Sequence, residues 1–186
     1  MRFPATGFDG SGARRFDFEC GPTTVAAGGE RTVIGVANDD HVTSRLRLLD
    51  AGREVAARDV PSFREAAFST DGSALVLAGK DSLQWLDAGT GDLLAASSAS
   101  LDPAPGNPVA FGRDGSRVLL VARTADPEGV LGPYELMAVS RTGRDLSLRV
   151  VAPLEGEPVV VGLEDLDTGI RLATREGVRV VTEDGR

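Results

Sequence analysis

Residues 72–80 contain the glycine and lysine residue types of a phosphate-binding loop. That loop needs four residues between its glycines and a hydroxyl residue after the lysine. Here six residues separate Gly72 from Gly79, and Asp81 follows Lys80. The spacing therefore predicts a strand with a turn at each end, without phosphate chemistry.

Other reactive residue types are few. The acidic run 164–169 spaces carboxylates two apart before a glycine, as calcium-binding loops do, but the further ligands and the distal glutamate are not evident. A solvated hairpin is favoured there, with metal binding as the alternative. The single histidine, His41, follows Asp39 and Asp40, and the single cysteine is Cys20. Neither has the partner residues of a catalytic site. We expect no enzyme activity, metal or cofactor.

The composition excludes several classes of partner. The 186 residues carry a net charge of −8, whereas nucleic acids and anionic membranes attract basic surfaces. One cysteine allows no intrachain disulfide, and neither a signal-like segment nor an apolar run of about 20 residues is present. We expect a soluble cytoplasmic protein that binds neither nucleic acid nor membrane. A single lysine among 20 basic residues points to a GC-rich bacterial genome.

An internal repeat organises the chain. Segments 67–73 and 110–116 share the pattern Ala-Phe-x-x-Asp-Gly-Ser, and an apolar run follows each. Gly72 and Gly115 are 43 residues apart, and the same step backwards reaches Gly29. A looser copy lies near the C-terminus. Asp-Gly and Gly-Gly turns join the strands of hairpins because glycine accepts a positive φ.

A second repeated pattern, Leu-Asp-Ala-Gly at 49–52 and 86–89, closes a third strand and turns into a fourth. We therefore predict an all-β chain of four units, each with four antiparallel strands. The second strand of each unit is nearly all apolar, as expected for a strand covered on both faces. The predicted units cover approximately residues 21–60, 63–99, 107–152 and 157–186, the last together with 14–19.

Four-stranded units of about 40–45 residues are the signature of β-propeller blades. Residues 82–91 resemble the end of the third strand in WD-repeat proteins, and 68–73 resemble their first hairpin. The Trp of the family's Trp-Asp pair is replaced in every unit, by Leu49, Leu86, Val139 and Val181. The chain resembles a divergent bacterial WD-repeat-like propeller. The resemblance implies a non-catalytic scaffold or regulatory module that binds protein partners.

The strand count leaves the closure of the ring open. The last unit reaches only three strands, while residues 14–19 form a spare strand before the first unit. Propellers that resemble WD repeats commonly close with their N-terminal strand. We therefore expect 14–19 to be the outer strand of the unit at 157–185. Three solutions fit: a closed four-bladed ring, two chains that form an eight-bladed ring, or a fragment of a longer propeller. We favour a homodimer associated by its blade edges, and a half-propeller that folds with another chain is the alternative.

The longest predicted loop lies between the second and third strands of the third unit. It contains five candidate partner-binding residues: Asp126, Glu128, Val130, Leu131 and Tyr134. Long loops on a rigid scaffold often carry binding function, and a harmless insertion is the alternative. A propeller that binds a small ligand or carbohydrate is the alternative function, although one Trp, one Tyr and one His provide few groups for a pocket.

Overall fold

The computed structural model describes the backbone of residues 3–8, 14–20, 23–40, 42–97 and 99–182, and the side chains within these ranges from Ala26 onward. This part of the chain is all-β, which confirms the predicted class. No helix long and apolar enough to cross a membrane is found among the described residues. The strands are β1 (Phe3–Phe8), β2 (Arg14–Cys20), β3 (Thr23–Gly28), β4 (Arg31–Ala37), β5 (Thr43–Asp50), β6 (Arg53–Pro61), β7 (Glu65–Phe68), β8 (Ala74–Gly79), β9 (Ser82–Asp87), β10 (Leu93–Ser97), β11 (Leu101–Pro103), β12 (Val109–Phe111), β13 (Arg117–Thr124), β14 (Glu135–Thr142), β15 (Asp145–Pro153), β16 (Val160–Leu166), β17 (Gly169–Thr174) and β18 (Gly177–Val181).

Four antiparallel units follow one another along the chain. Unit 1 contains β3 to β6, unit 2 contains β7 to β10, unit 3 contains β12 to β15, and unit 4 contains β16 to β18. The first strand of each unit lies beside that of the next: β3 beside β7, β7 beside β12, and β12 beside β16. This succession of antiparallel units, joined along their inner strands, is the arrangement of propeller blades. Units 2 and 3 are also joined by a parallel bridge between β10 and β15, at Ala96 and Asp145.

The hydrophobic core is divided into three layers, one between each pair of consecutive units. The second strands supply both neighbouring layers, because side chains alternate between the two faces of a strand. In β8, Leu75 packs towards unit 1 while Val76 packs towards unit 3. In β13, Leu120 packs towards unit 2 while Leu119 packs towards unit 4. This double coverage explains why the second strands are continuous apolar runs.

The units form an open arc. Among the described residues, no contact as extensive as those between successive inner strands joins β16 back to β3. The closed four-bladed ring is therefore not the arrangement that this structure adopts.

The expected pairing of residues 14–19 with the last unit is not found among the described strands. The strand β2 pairs with β1 in a separate two-stranded sheet, with Ala5 opposite Phe18. Pairing with a strand that is close in the sequence is favoured, because closing a short loop costs less entropy than closing a loop that spans the whole chain. As a result, β17 is the only paired neighbour of β18 among the described strands.

Candidate functional site

The loop between β13 and β14 is held in one conformation by its own hydrogen bonds. Ala125 and Leu131 form a β-bridge at its base. The carboxylate Oδ1 of Asp126 accepts the backbone N–H of Glu128 at 3.1 Å and that of Val130 at 2.8 Å. The side chains of Val130 and Leu131 are 64% and 38% exposed. The loop therefore holds two apolar side chains in water at a fixed position.

Tyr134 does not belong to this exposed set. It is only 6% exposed and packs in the core layer between units 3 and 4. The guanidinium carbon of Arg123 lies 5.0 Å from the centre of its ring, and Arg123 also pairs with Asp102 at 2.8 Å. The ring is thus buried against the protein itself and not exposed like Val130 and Leu131; the partner-binding role of Tyr134 stays a prediction.

Loops from all four units emerge at the same end of the arc, which we call the loop end. Backbone hydrogen bonds connect each second-to-third-strand loop with a neighbouring connection. They run from Ser62 N–H to Val42 O, Asp81 N–H to Leu101 O, Ala125 N–H to Ser100 O, and Arg175 N–H to Val159 O, at 2.8–3.2 Å. The exposed tip of the 125–131 loop therefore stands on a connected surface.

The opposite end of the arc carries a shallow depression of about 640 Å³, lined partly by Thr70, Phe111 and Leu163. Its charged lining residues already have partners. Arg113 donates to Asp167 at 2.5 Å, Asp165 pairs with Arg117 at 2.6 Å, and Glu164 pairs with Arg171. A ligand that needed a free charge here would have to displace one of these ion pairs.

The acidic run at 164–169 forms the hairpin that the sequence favoured, with Leu166 opposite Gly169. Its carboxylates reach three different arginines and do not converge on one point. Within the described ranges, no group of three or more His, Cys, Asp or Glu side chains is arranged to hold a metal ion.

The Asp-Gly-Ser turns of the repeat have a structural role. Oδ1 of Asp71 accepts the hydroxyl of Ser69 at 2.7 Å and the N–H of Ser73 at 3.0 Å. These hydrogen bonds lower the pKa of Asp71 to about 2. Asp114 accepts the N–H and hydroxyl of Ser116 in the same way. The turn leads into β8, so residues 72–80 are a strand between two turns, as predicted.

The remaining reactive residues of the sequence contribute little to a site. The carboxylate of Asp40 accepts the backbone N–H groups of Val42 and Thr43, each at 2.9 Å, and so closes a turn. His41 and the side chain of Cys20 lie outside the described residues.

Glu65 is a titratable residue that the sequence reasoning missed. It begins β7, an inner strand, and desolvation by burial raises its pKa to about 7 against the opposing charge of Arg64. The available signal was a carboxylate at the start of the apolar stretch that ends at Phe68. A raised pKa marks a candidate acid or base.

No family model matches the sequence, and no curated protein matches it. Among solved structures, the hydrazine synthase of Kuenenia stuttgartiensis matches with a TM-score of 0.52 and 13% identity, over 92% of this chain and 61% of that chain. Hsv2 of Kluyvelomyces marxianus matches with a TM-score of 0.54 and 8% identity, over 92% and 58%. The β-propeller domain of the trilobed protease from Pyrococcus furiosus, described as having an open velcro topology, matches with a TM-score of 0.45 and 10% identity, over 97% and 81%.

These likenesses concern the fold alone, because the identities are low. The chain spans about three-fifths of the length of the hydrazine synthase and Hsv2 chains that it matches. The order of its own strands supports a propeller-like fold built from successive antiparallel units of three or four strands.

Proposed function

We propose that this chain is a non-catalytic protein-interaction module, a scaffold or regulatory element of the propeller type that also associates with itself. Its partners are proteins, since a net charge of −8 disfavours nucleic acids and anionic membranes. We place its activity in the cytoplasm.

The observation that carries this proposal is the preordered tip of the 125–131 loop. Val130 and Leu131 expose apolar surface to water in the free protein, and a complex would bury that surface. Because Asp126 already fixes the loop, binding would order few additional residues. A binding site that is ordered in advance avoids much of the entropy cost of association.

The contacts at the opposite end support a binding role over a catalytic one. The charged groups that line the depression form ion pairs with one another or with neighbouring arginines. The pairs Arg113–Asp167 and Arg117–Asp165 join units 3 and 4, and Glu164–Arg171 lies within unit 4. Their geometry serves the packing of units 3 and 4. Glu65 has a raised pKa, but that shift arises from burial on an inner strand.

The test compares the wild-type protein with a V130S/L131S double variant as bait in a lysate of the native organism. A V55S variant is the control, because Val55 is also exposed but lies on β6, outside the loop. We expect at least one protein to be captured by the wild type and V55S and lost with V130S/L131S. Equal capture by all three baits would contradict a docking role for the loop.

A further inference from the structure

The outer edge of β18 has no paired strand among the described residues. In units 1 to 3 the third strand has a paired strand on each side: β5 lies between β4 and β6, β9 between β8 and β10, and β14 between β13 and β15. In unit 4 the third strand is β18, and β17 is its only paired neighbour in the part of the chain that is described. Its other edge therefore presents backbone N–H and C=O groups that can accept another strand.

The side chains along this edge are suited to pairing with an apolar strand. Val178 and Val180 lie on the same face of β18 and are 68% and 49% exposed. Opposite them on β17 stand Ala173 and Arg171. Between the two valines, Arg179 lies on the other face because side chains alternate along a strand.

Charges on unit 1 disfavour the completion of a ring by a second copy. Its face away from unit 2 carries the cross-strand ion pairs Arg45–Asp59 at 3.4 Å and Arg47–Glu54 at 2.5 Å, all between solvent-exposed side chains. Stacking the valine-rich face of unit 4 on this surface would remove these four charges from water, together with Glu164 and Arg171, which lie on the valine face and already pair with each other. That desolvation costs more than the ion pairs return. Pairing along the strand edge leaves these charges in water.

We infer that two copies of this chain pair through β18 in antiparallel orientation, with Val178 opposite Val178 of the second copy on a twofold axis. This inference rests on the self-association in the proposed function and specifies its surface. The two copies would form one continuous six-stranded sheet, from β16 of one copy to β16 of the other.

Symmetry and charge together select this register. A twofold axis perpendicular to the sheet leaves each side chain on the same face of the sheet in both copies. Residues directly opposite each other must share a face, so one residue on the axis lies opposite the same residue of the second copy. With Arg179 on the axis, two guanidinium groups would face each other, which is unfavourable. With Val178 on the axis, Arg179 faces Gly177 and Glu176 faces Val180. Val178 is also the more exposed of the two valines and gains most from burial.

A single strand edge buries little surface, so the dimer is expected to be weak and concentration-dependent. A covalent trap therefore gives the sharpest test. In a Cys20→Ser background, Val178→Cys would place two cysteines directly opposite each other, with Cα atoms about 4.5–5.5 Å apart. That separation lies within the range of disulfides. The matched control is Val180→Cys, whose two copies would be about 14 Å apart in this register.

Under mild oxidation, V178C is expected to become a covalent dimer that reductant dissolves, while V180C stays monomeric. Equal or faster cross-linking of V180C, or monomeric V178C at every concentration, would overturn the register. Val178→Lys provides a second measurement, since two ammonium groups on the axis should weaken association at least tenfold. Failure of these tests is distinct from failure of loop docking, because the capture experiment changes only Val130 and Leu131.

Discussion

The guanidinium group of Arg117 forms two parallel hydrogen bonds with the carboxylate of Asp165, with Nε 3.0 Å from Oδ2 and Nη2 2.6 Å from Oδ1. Arg117 begins β13 of unit 3 and Asp165 lies on β16 of unit 4, so the pair joins two blades. The Asp165 side chain is nearly buried and that of Arg117 is mostly so. Paired planar groups of this kind are among the stronger polar contacts in proteins.

Removing this ion pair should destabilise the fold. Asp165→Asn removes the negative charge that pairs with the mostly buried guanidinium of Arg117, and we expect the free energy of unfolding in urea to fall by about 2 kcal/mol. The control is Asp59→Asn, which breaks the solvent-exposed pair with Arg45 and should cost less than about 0.5 kcal/mol. Equal losses in the two variants would show that Arg117–Asp165 does not join the blades.

Gly112 provides the space for that pair. A Cβ atom on Gly112 would lie 2.7 Å from Cγ of Arg117 and 2.8 Å from Oδ2 of Asp165. Gly112→Ala should therefore reduce the free energy of unfolding by about 1–3 kcal/mol, as other overpacked substitutions do. Gly132→Ala is the matched control, because the nearest atom to its Cβ would be a carbonyl oxygen at 3.5 Å. Urea denaturation of both variants measures the difference, and an unaffected G112A would contradict the packing described.

Tyr134 and Leu131 should respond in opposite ways to truncation. Tyr134→Ala removes a buried ring and is expected to cost about 3 kcal/mol of stability, by analogy with other buried aromatic side chains. Leu131→Ala removes a partly exposed side chain from a loop and should change stability by about 0.5 kcal/mol or less. Thermal and urea unfolding provide the comparison. A neutral Y134A would place the ring at the surface, against the structure.

Glu65 should make stability depend on pH. Its pKa rises from 4.5 to about 7 on folding, so between these values the folded state holds a proton that the unfolded state has lost. The contribution of Glu65 to stability is present below pH 4.5 and declines as the pH rises towards 7. Glu65→Gln should therefore be more stable than the wild type at pH 8, by about 1 kcal/mol after allowance for solvent screening of the half-buried group.

The comparison for Glu65 is the difference between wild type and E65Q at several pH values, since other groups affect both proteins equally. The stability gain of E65Q should shrink as the pH falls from 8 to 4.5. A difference that stays constant with pH would mean that the carboxyl titrates normally in the folded protein.

Local patterns in the sequence predicted what local interactions decide. Asp71 and Asp114 predict hairpin turns because an aspartate carboxylate can accept the N–H of the serine two residues later. The structure has both turns. The apolar runs predicted strands covered on both faces, and β8 is buried throughout. Partners that are distant in the sequence could not be predicted from local patterns. Arg117 and Asp165, for example, are 48 residues apart.

The errors have identifiable causes. The pairing of residues 14–19 was misassigned because β1 went unrecognised, and a strand's choice of partner is not encoded in its own alternation. Tyr134 lies in the loop before β14, as predicted, but its ring is buried: Tyr134, Leu136 and Ala138 follow the two-residue period of one strand face and all pack in the same core layer. That alternation was the signal that could have identified the buried ring.

We expect the protein to associate through the edge of β18 that has no paired strand among the described residues. Sedimentation equilibrium over a wide range of protein concentrations tests it most directly, with Val178→Lys beside the wild type and Val42→Lys as the control at another exposed valine. We predict that the wild type and V42K rise from the monomer mass of 19.4 kDa towards twice that value, while V178K stays near 19.4 kDa. A wild-type protein that remains at 19.4 kDa at every concentration, or a V178K variant that dimerises as the wild type does, would contradict the claim.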